Sequence, residues 1–429
     1  MLVRKYIGAR LASYYAQPSE KVVGSLPKTE SIKNSINFKA LFGEYHWKRV
    51  FKQIYEQQKG QWMTPVELFY PYYSNILANF IATQHRNQTH RIDGNNEQSI
   101  SENEVHIVEL GCGRGTNANC ILSYLHEYHP ELYSKCTYYL FDSSHTLHSL
   151  QNDLLGKSQH GDKVKLILKD LVEVAEGNAP FLNTSNVETY VLALEILDNL
   201  PHDKVSRCKQ TGGLLQAEIK EKKNLLTSQT ESNYEEKFVS LEDPTLKSVL
   251  DFEPRYSPHI SQNGSKWVPT IACALFDKLF QIRPNARILI ADFDWLPQPD
   301  LDLSTSQYNQ NYKRGEGEPL VTCMDDIDHG CYLSAPNLSD ILFPTNFGLL
   351  ASFLQKKIRH ENKNRTKKKE FNETKNVISV MKQADFLWKF GEEEIKKTQS
   401  WISRFSPLVH DFGNCSVLTV TRQHARGGK

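Results

Sequence analysis

Acids placed at the ends of short apolar runs dominate the chemistry this sequence can do. Glu109 closes the run Val105-His-Ile-Val-Glu-Leu110 and is followed by Gly111, Gly113 and Gly115 in a G-x-G-x-G arrangement, then Thr116. Asp142 closes the run from Cys136 to Phe141, and Lys169-Asp170 follows Lys163-Val-Lys-Leu-Ile-Leu168. Tyr190-Val-Leu-Ala-Leu194 runs into Glu195-Ile-Leu-Asp198-Asn-Leu-Pro201-His202. In nucleoside-binding α/β folds an acid at the end of the second strand accepts hydrogen bonds from both ribose hydroxyls, which is the chemistry offered by Asp142. Asp170 is placed to meet an adenine amino group. Glu195 and Asp198, three residues apart just past a strand, fall where open α/β sheets bind substrate, with Pro201 fixing the exit of the turn. They are candidates to hold and polarise a reacting nitrogen, and His202 is a candidate for proton handling.

The elements that must position these groups are strands joined by helices. Val105, Ile107, Val108 and Leu110 predict a short buried strand, and Asn117 to Leu125 predicts a helix. Glycine permits the tight turn between them and lets a ligand approach the backbone. The helix after it aims free N–H groups across the strand end. A dinucleotide loop requires G-x-G-x-x-G, and Thr116 stands where its third glycine would be. Asp142 also lies further beyond Gly111 than the roughly 20 residues of that fold. Two plainer readings stand beside the functional ones: Asp142 as a helix N-cap, and Glu195 and Asp198 as caps or as lining of the ligand pocket. Ala286 to Asp292 predicts a fifth strand after a helix over Pro269 to Leu279, and Cys415 to Thr421 predicts the last.

Composition bounds the possibilities. Over 429 residues, 39% hydrophobic and 24% charged content is ordinary for a globular chain. Lys and Arg number 51 against 50 Asp and Glu, so the overall field gives no push toward nucleic acid or an anionic surface. Eight scattered cysteines, with no C-x-x-C pair, point to neither a disulfide framework nor a zinc ribbon, and no metal site is expected. No apolar run approaches the roughly 20 residues that span a bilayer. Residues 1–24 are basic and acid-poor up to Glu20, with Tyr6, Ile7, Leu11 and Tyr14 on one helical face, as in a mitochondrial targeting segment; an ordinary basic terminus is the alternative. Residues 25–100 are expected to be helical, and residues 101–429 to hold the sheet. That last region carries an inserted lobe at 207–255, a polar loop at 301–320 and a basic insertion at 356–375. The insertion lacks interleaved aromatics for stacking on bases, so a solvated segment is expected rather than a patch for RNA.

Glu109 beside G-x-G-x-G resembles the S-adenosylmethionine loop of Rossmann-like methyltransferases. Taken in order, the motifs resemble a narrower group, the MidA-like mitochondrial methyltransferases related to the complex I assembly factor that methylates protein arginine. Val108-Glu-Leu-Gly-Cys-Gly-Arg-Gly-Thr116 is similar to V-E-L-G-P-G-R-G-T, Leu140-Phe-Asp142-Ser-Ser144 to L-V-E-V-S, and Leu194-Glu-Ile-Leu-Asp-Asn-Leu-Pro201 to N-E-F-F-D-A-L-P. Ser334-Ala-Pro through Ser339-Asp340 and Asn346-Phe347 resembles A-P-G…A-D-L…D-F, and Lys382 to Gly391 resembles Q-G-D-F-L…L-G. Leu194, Asn346 and the shortened Thr64-Pro65-Val66-Glu67 depart from the pattern. The resemblance implies a class I fold: a seven-stranded, mainly parallel sheet with helices on both faces, N-terminal helices and an inserted lobe. It also implies S-adenosyl-L-methionine as cosubstrate, held by Glu109, Gly111, Gly113, Gly115, Thr116, Asp142 and Asp170. The acceptor it implies is arginine on a mitochondrial matrix protein of the respiratory chain or its assembly, with type II-like symmetric dimethylation. Two rivals remain: a weakly catalytic or non-catalytic SAM-binding assembly factor, and methylation of RNA or a small molecule.

Overall fold

The computed structural model describes residues 1–18, 23–26, 36–58, 63–89, 104–183, 187–222, 234–258, 264–299, 313–323, 327–366 and 374–424. The chain opens with helix α1 (Val3–Tyr15), followed by α2 (Glu44–Gln58) and α3 (Tyr72–Thr89). Strands β1 (Val105–Leu110), β2 (Cys136–Asp142), β3 (Val164–Leu168) and β4 (Glu188–Leu194) come next. A lobe carries β5 (Asp203–Arg207), β6 (Leu214–Glu221), β7 (Tyr234–Ser240) and β8 (Lys266–Val268), and the chain returns through β9 (Arg287–Phe293). Short strands β10 (Leu320–Cys323), β11 (Asp328–His329) and β12 (Ser339–Leu342) precede β13 (Thr374–Lys382) and β14 (Cys415–His424).

The central sheet has seven strands in the order β13-β14-β9-β4-β1-β2-β3. β9, β4, β1, β2 and β3 pair in parallel, while β14 is antiparallel to both its neighbours. All six residues of β1 are buried, because helices cover both faces of a parallel sheet. The two-residue period sorts side chains between two cores. Ile107, Tyr190, Leu192 and Leu289 face the core built with α2 and α3, whereas Val108, Val191, Ala193 and Ile290 face the helices Thr270–Ile282 and Phe347–Thr366. The strand order reverses between β1 and β4, so their carboxyl ends open a crevice between Gly111 and Glu195.

Several boundaries differ from the expectation. The lobe begins at Asp203 and ends at Val268, forming an antiparallel sheet in the order β7-β6-β5-β8, so it is wider than 207–255. Strands β6 and β7 mix polar with apolar residues and lack the continuous apolar run that marks a buried strand. Of the basic insertion 356–375, residues up to 366 continue the helix from Phe347, and β13 starts at Thr374; 367–373 lie outside the described residues. Most of the loop 301–320 also lies outside them, and Leu320 belongs to β10.

Helix α1, within the expected targeting segment, is built into the fold. Tyr6, Ile7 and Leu11 pack with Ala217 and Ile219 of β6 and with Val321 and Ile341 of the small sheet. The Met1 ammonium donates to the Ile219 carbonyl at 3.1 Å, and Ile219 N–H donates back to the Met1 carbonyl at 2.8 Å. Arg4 and Arg10 are buried. The Arg4 guanidinium meets Asp203 at 2.7 Å, both carboxylate oxygens of Asp243 at 3.0 and 2.9 Å, and Glu176 at 3.3 Å. Arg10 donates to the carbonyls of Ala335 and Pro336 at 2.7 and 2.9 Å. Helical amphipathicity cannot tell docking from membrane targeting when the acids that receive the arginines lie far along the chain.

Arg4→Ala leaves Asp203 buried without its partner. Breaking a buried pair from one side costs about 3–5 kcal/mol, so denaturant unfolding should show a loss of that order. A loss below about 1 kcal/mol, the worth of a surface pair, contradicts this docking.

Candidate active site

The loop after β1 is shaped by close approach. Gly111 has φ 68°, and a Cβ placed there would lie 2.6 Å from Ile196 Cδ1, so this position is reserved for glycine by strain and by contact. Gly113 has φ 51°, and a Cβ there meets no protein atom within 4 Å; its open side faces the cavity described below. Gly115 precedes the helix Thr116–Tyr128 as its N-cap residue.

Glu109 points into the protein. Its carboxylate accepts from Asn117 Nδ2 and Tyr138 Oη, both at 2.7 Å, and burial raises its pKa to about 7. It ties β1 to β2 and to the first turn of the helix, with Asn117 and Tyr138 as partners that no motif marked. Asp142 is buried at the end of β2, where Oδ1 accepts from Ser144 N–H at 2.9 Å. Burial pushes it up to about 6, and the N–H groups of Gly113, Ser143 and Ser144 offset part of that cost. Asp170 caps the helix Leu171–Glu176 by accepting from Val172 N–H at 2.8 Å, and it lines the cavity as well. Thr116 lines the cavity, and its hydroxyl holds the buried Glu67 carboxyl.

Across the crevice, acids gather without cations. Glu195 adopts φ 47°, rare for a side chain with a Cβ, and its N–H donates to the Ala291 carbonyl at 2.9 Å. Asp292 at the end of β9 organises the turn: Oδ2 accepts from Leu197 and Asp198 N–H at 2.8 and 3.2 Å, and Oδ1 from Phe293 N–H at 2.7 Å. Asp340 accepts from Asn199 Nδ2 at 2.8 Å and from Ile341 N–H at 2.9 Å. Asp198 Oδ1 is buried with no hydrogen-bond partner. None of Glu195, Asp198, Asp292 or Asp340 forms an ion pair among the described residues.

Burial raises Glu195 to about 8 and Asp340 to about 7. It also drives Asp198 well above its usual range, with Asp292, Asp340 and Glu195 adding like-charge repulsion. Neighbouring carboxylates cannot all ionise, so the group shares protons near neutral pH. His202 does not join them. Its Nδ1 lies 2.8 Å from the Leu200 carbonyl, its ring stacks on Phe343 at 4.0 Å, and burial lowers its pKa to about 4. It does not line the cavity, which corrects its expected proton-handling role: the turn at Pro201 directs it into the core.

One cavity of about 980 Å³ joins the two sides, with Gly113, Asp142 and Asp170 at one end and Glu195, Asp198 and Asp340 at the other. That is at the upper end for a single small ligand and fits a nucleoside cosubstrate with an acceptor side chain beside it. Glu67, Phe51, Tyr55 and Tyr15 also line it and were not read from the sequence as site residues. Of these, only Glu67 carried a signal, in Thr64-Pro65-Val66-Glu67. The open face at Gly113 and the buried Asp142 carboxylate fit a ribose, with the backbone free to approach the ligand. Among the described residues, no group of three or more His, Cys, Asp or Glu is placed to hold a metal ion.

Residues 76–362 match the model of a family described as S-adenosyl-L-methionine-dependent methyltransferases. Two solved structures from Burkholderia thailandensis, both of one superfamily, share the fold. The first, described as a methyl transferase and bound to S-adenosyl-homocysteine, is 14% identical with a TM-score of 0.60, covering 99% of this chain and 89% of its own. The second, a native structure of an uncharacterized protein, is 15% identical with a TM-score of 0.54, covering 83% and 81%. No curated protein matches the chain in sequence.

Asp142→Ala removes a charged acceptor, and such hydrogen bonds contribute roughly 1.5–3 kcal/mol, so S-adenosyl-L-methionine affinity should fall on the order of 10–100-fold by calorimetry. Gly113→Val should abolish binding by filling the face that the protein leaves open. Unchanged affinity in a folded Asp142→Ala protein would remove the ribose assignment.

Proposed function

The chain belongs to the S-adenosyl-L-methionine-dependent methyltransferase family matched over residues 76–362, and on that footing we propose that it methylates a guanidinium nitrogen of arginine on a protein. The observation that carries this reading is the set of acids without cations, the half-buried Glu195 and the buried Asp198 and Asp340, at the end of the cavity across from Asp142. A buried unpaired charge is costly, and a planar cation with several N–H donors is the ligand that relieves it.

S-adenosyl-L-methionine supplies an electrophilic methyl group when bound. Asp142 would take the ribose hydroxyls, Asp170 the adenine side, and the backbone at Gly113 would line its bed. Glu195 and Asp198 would clamp the guanidinium, localise its charge on the nitrogens they hold, and leave one nitrogen free to attack. The same carboxylates accept the proton that the methylated nitrogen gives up. Much of the rate comes from holding the two reactants in line. Because Glu195 and Asp340 are raised toward neutrality, acceptor binding should strengthen as pH rises from about 6 to 8 and they ionise.

The motif resemblance extends the proposal to the mitochondrial matrix and to type II-like symmetric dimethylation in respiratory-chain or complex I assembly. With α1 docked, residues 1–24 would remain in the imported protein. Tagged full-length chain is expected in the matrix, and a cytosolic location would remove this part of the reading.

Glu195→Gln keeps the shape and loses the charge. S-adenosyl-L-methionine binding should change little, because its contacts come from other strand ends. Methyl transfer from labelled cosubstrate should drop on the order of 10²–10³, the usual effect of removing one preorganised electrostatic partner. Full rescue of a loss-of-function phenotype by this variant would put the scaffold reading ahead.

A further inference from the structure

One stripe of helix α1 borders the cavity as well as the lobe. Gly8, Leu11, Ala12 and Tyr15 recur at helical spacing and line the cavity, with Ala16 just past the end of the helix. The approach is close: a Cβ at Gly8 would lie 3.3 Å from Cγ of Pro201, the residue that ends the turn carrying Glu195 and Asp198. The same helix is fixed in its first turn by Arg4 on Glu176, Asp203 and Asp243, and further along by Arg10 on the carbonyls before β12. The chain's first turns are therefore clamped at two places and present a short wall to the acid end of the site.

Tyr15 is the polar group on that wall. It lines the cavity two turns along the helix from Gly8, whose close approach to Pro201 puts this wall at the acid end, and the phenol lies in the field of Asp340 and Asp198. Burial raises it well above the usual phenol range, so it keeps its proton at any working pH. A protonated phenol both donates and accepts. Asp198 Oδ1 has no partner, so the side of the cavity that Tyr15 faces holds an unsatisfied acceptor.

Resting on the proposed guanidinium acceptor, we infer that α1 forms the acceptor-side wall of the site and that Tyr15 is a positioning residue for the incoming cation. The phenol steadies the carboxylates with its proton and offers its oxygen to a guanidinium N–H. Its ring, with Phe51 and Tyr55 of α2 on the same cavity, flanks the aliphatic stem of a long cationic side chain. Tyr15 contributes to acceptor binding and leaves the cosubstrate side untouched.

The test uses the full-length chain loaded with S-adenosyl-homocysteine and titrated with ethylguanidinium chloride against a sodium chloride control, alongside Michaelis kinetics on an arginine peptide. Tyr15→Phe keeps the ring and loses the oxygen. Ethylguanidinium affinity and the KM for peptide should worsen about tenfold, with kcat, S-adenosyl-homocysteine affinity and melting temperature close to wild type. Tyr15→Ala should weaken acceptor binding further. Equal binding by wild type and Tyr15→Phe overturns the role of Tyr15 and leaves the guanidinium reading intact. Loss of both ligands by Tyr15→Phe makes the residue structural and also overturns the proposal. Failure of wild type to bind ethylguanidinium overturns the guanidinium reading, and this inference with it.

Discussion

Burying several carboxylates in one place without a cation is the constraint on which the rest of this structure turns. Asp292, Asp198 and Asp340 are almost fully removed from water, and Glu195 is half-buried beside them. What makes the arrangement tolerable is backbone. Asp292 takes the N–H groups of Leu197, Asp198 and Phe293, and Asp340 takes that of Ile341. These bonds set the left-handed turn at Glu195 and hold the acids at the strand ends. Folded-state pKa values raised to about 7 or 8 mean that the native chain binds more protons than the unfolded one between roughly pH 4 and 8. Their contribution to stability is therefore present at low pH and is lost as pH rises through the folded values. Such a cost at neutral pH fits a site built to receive positive charge.

Arg4 shows the opposite solution. There a buried cation meets three acids from the lobe and the helix after β3, and the charge is balanced inside the protein. The two clusters lie on opposite ends of the β4–β5 connection, since Asp203 follows His202 directly. One is satisfied and mechanical, tying α1 to the lobe. The other is unsatisfied and faces the cavity.

Much of this was legible in the sequence. β1 runs over the residues its apolar pattern predicted, and β2, β3, β4 and β9 differ by at most two residues, because a strand covered on both faces must be apolar throughout. The glycine loop and Asp142 were legible because their backbone and charge requirements are local. β13 was not, since its Lys375, Asn376 and Ser379 break any apolar run on a strand at the sheet edge. The burial of Arg4 depends on acids roughly 170 to 240 positions away, and no local pattern carries that information. Asp340 and Tyr15 share the difficulty: each reaches the cavity from an element that only tertiary packing places there.

Proton release on acceptor binding tests the central claim most directly. The S-adenosyl-homocysteine complex would be titrated with an arginine peptide near pH 7 in buffers of different ionisation enthalpy. A cation entering the acid cluster must ionise carboxyls that were protonated, so release of about one proton or more per peptide is expected, diminishing above pH 8. Peptide binding with no proton release would show that the cation sits elsewhere and would contradict the account.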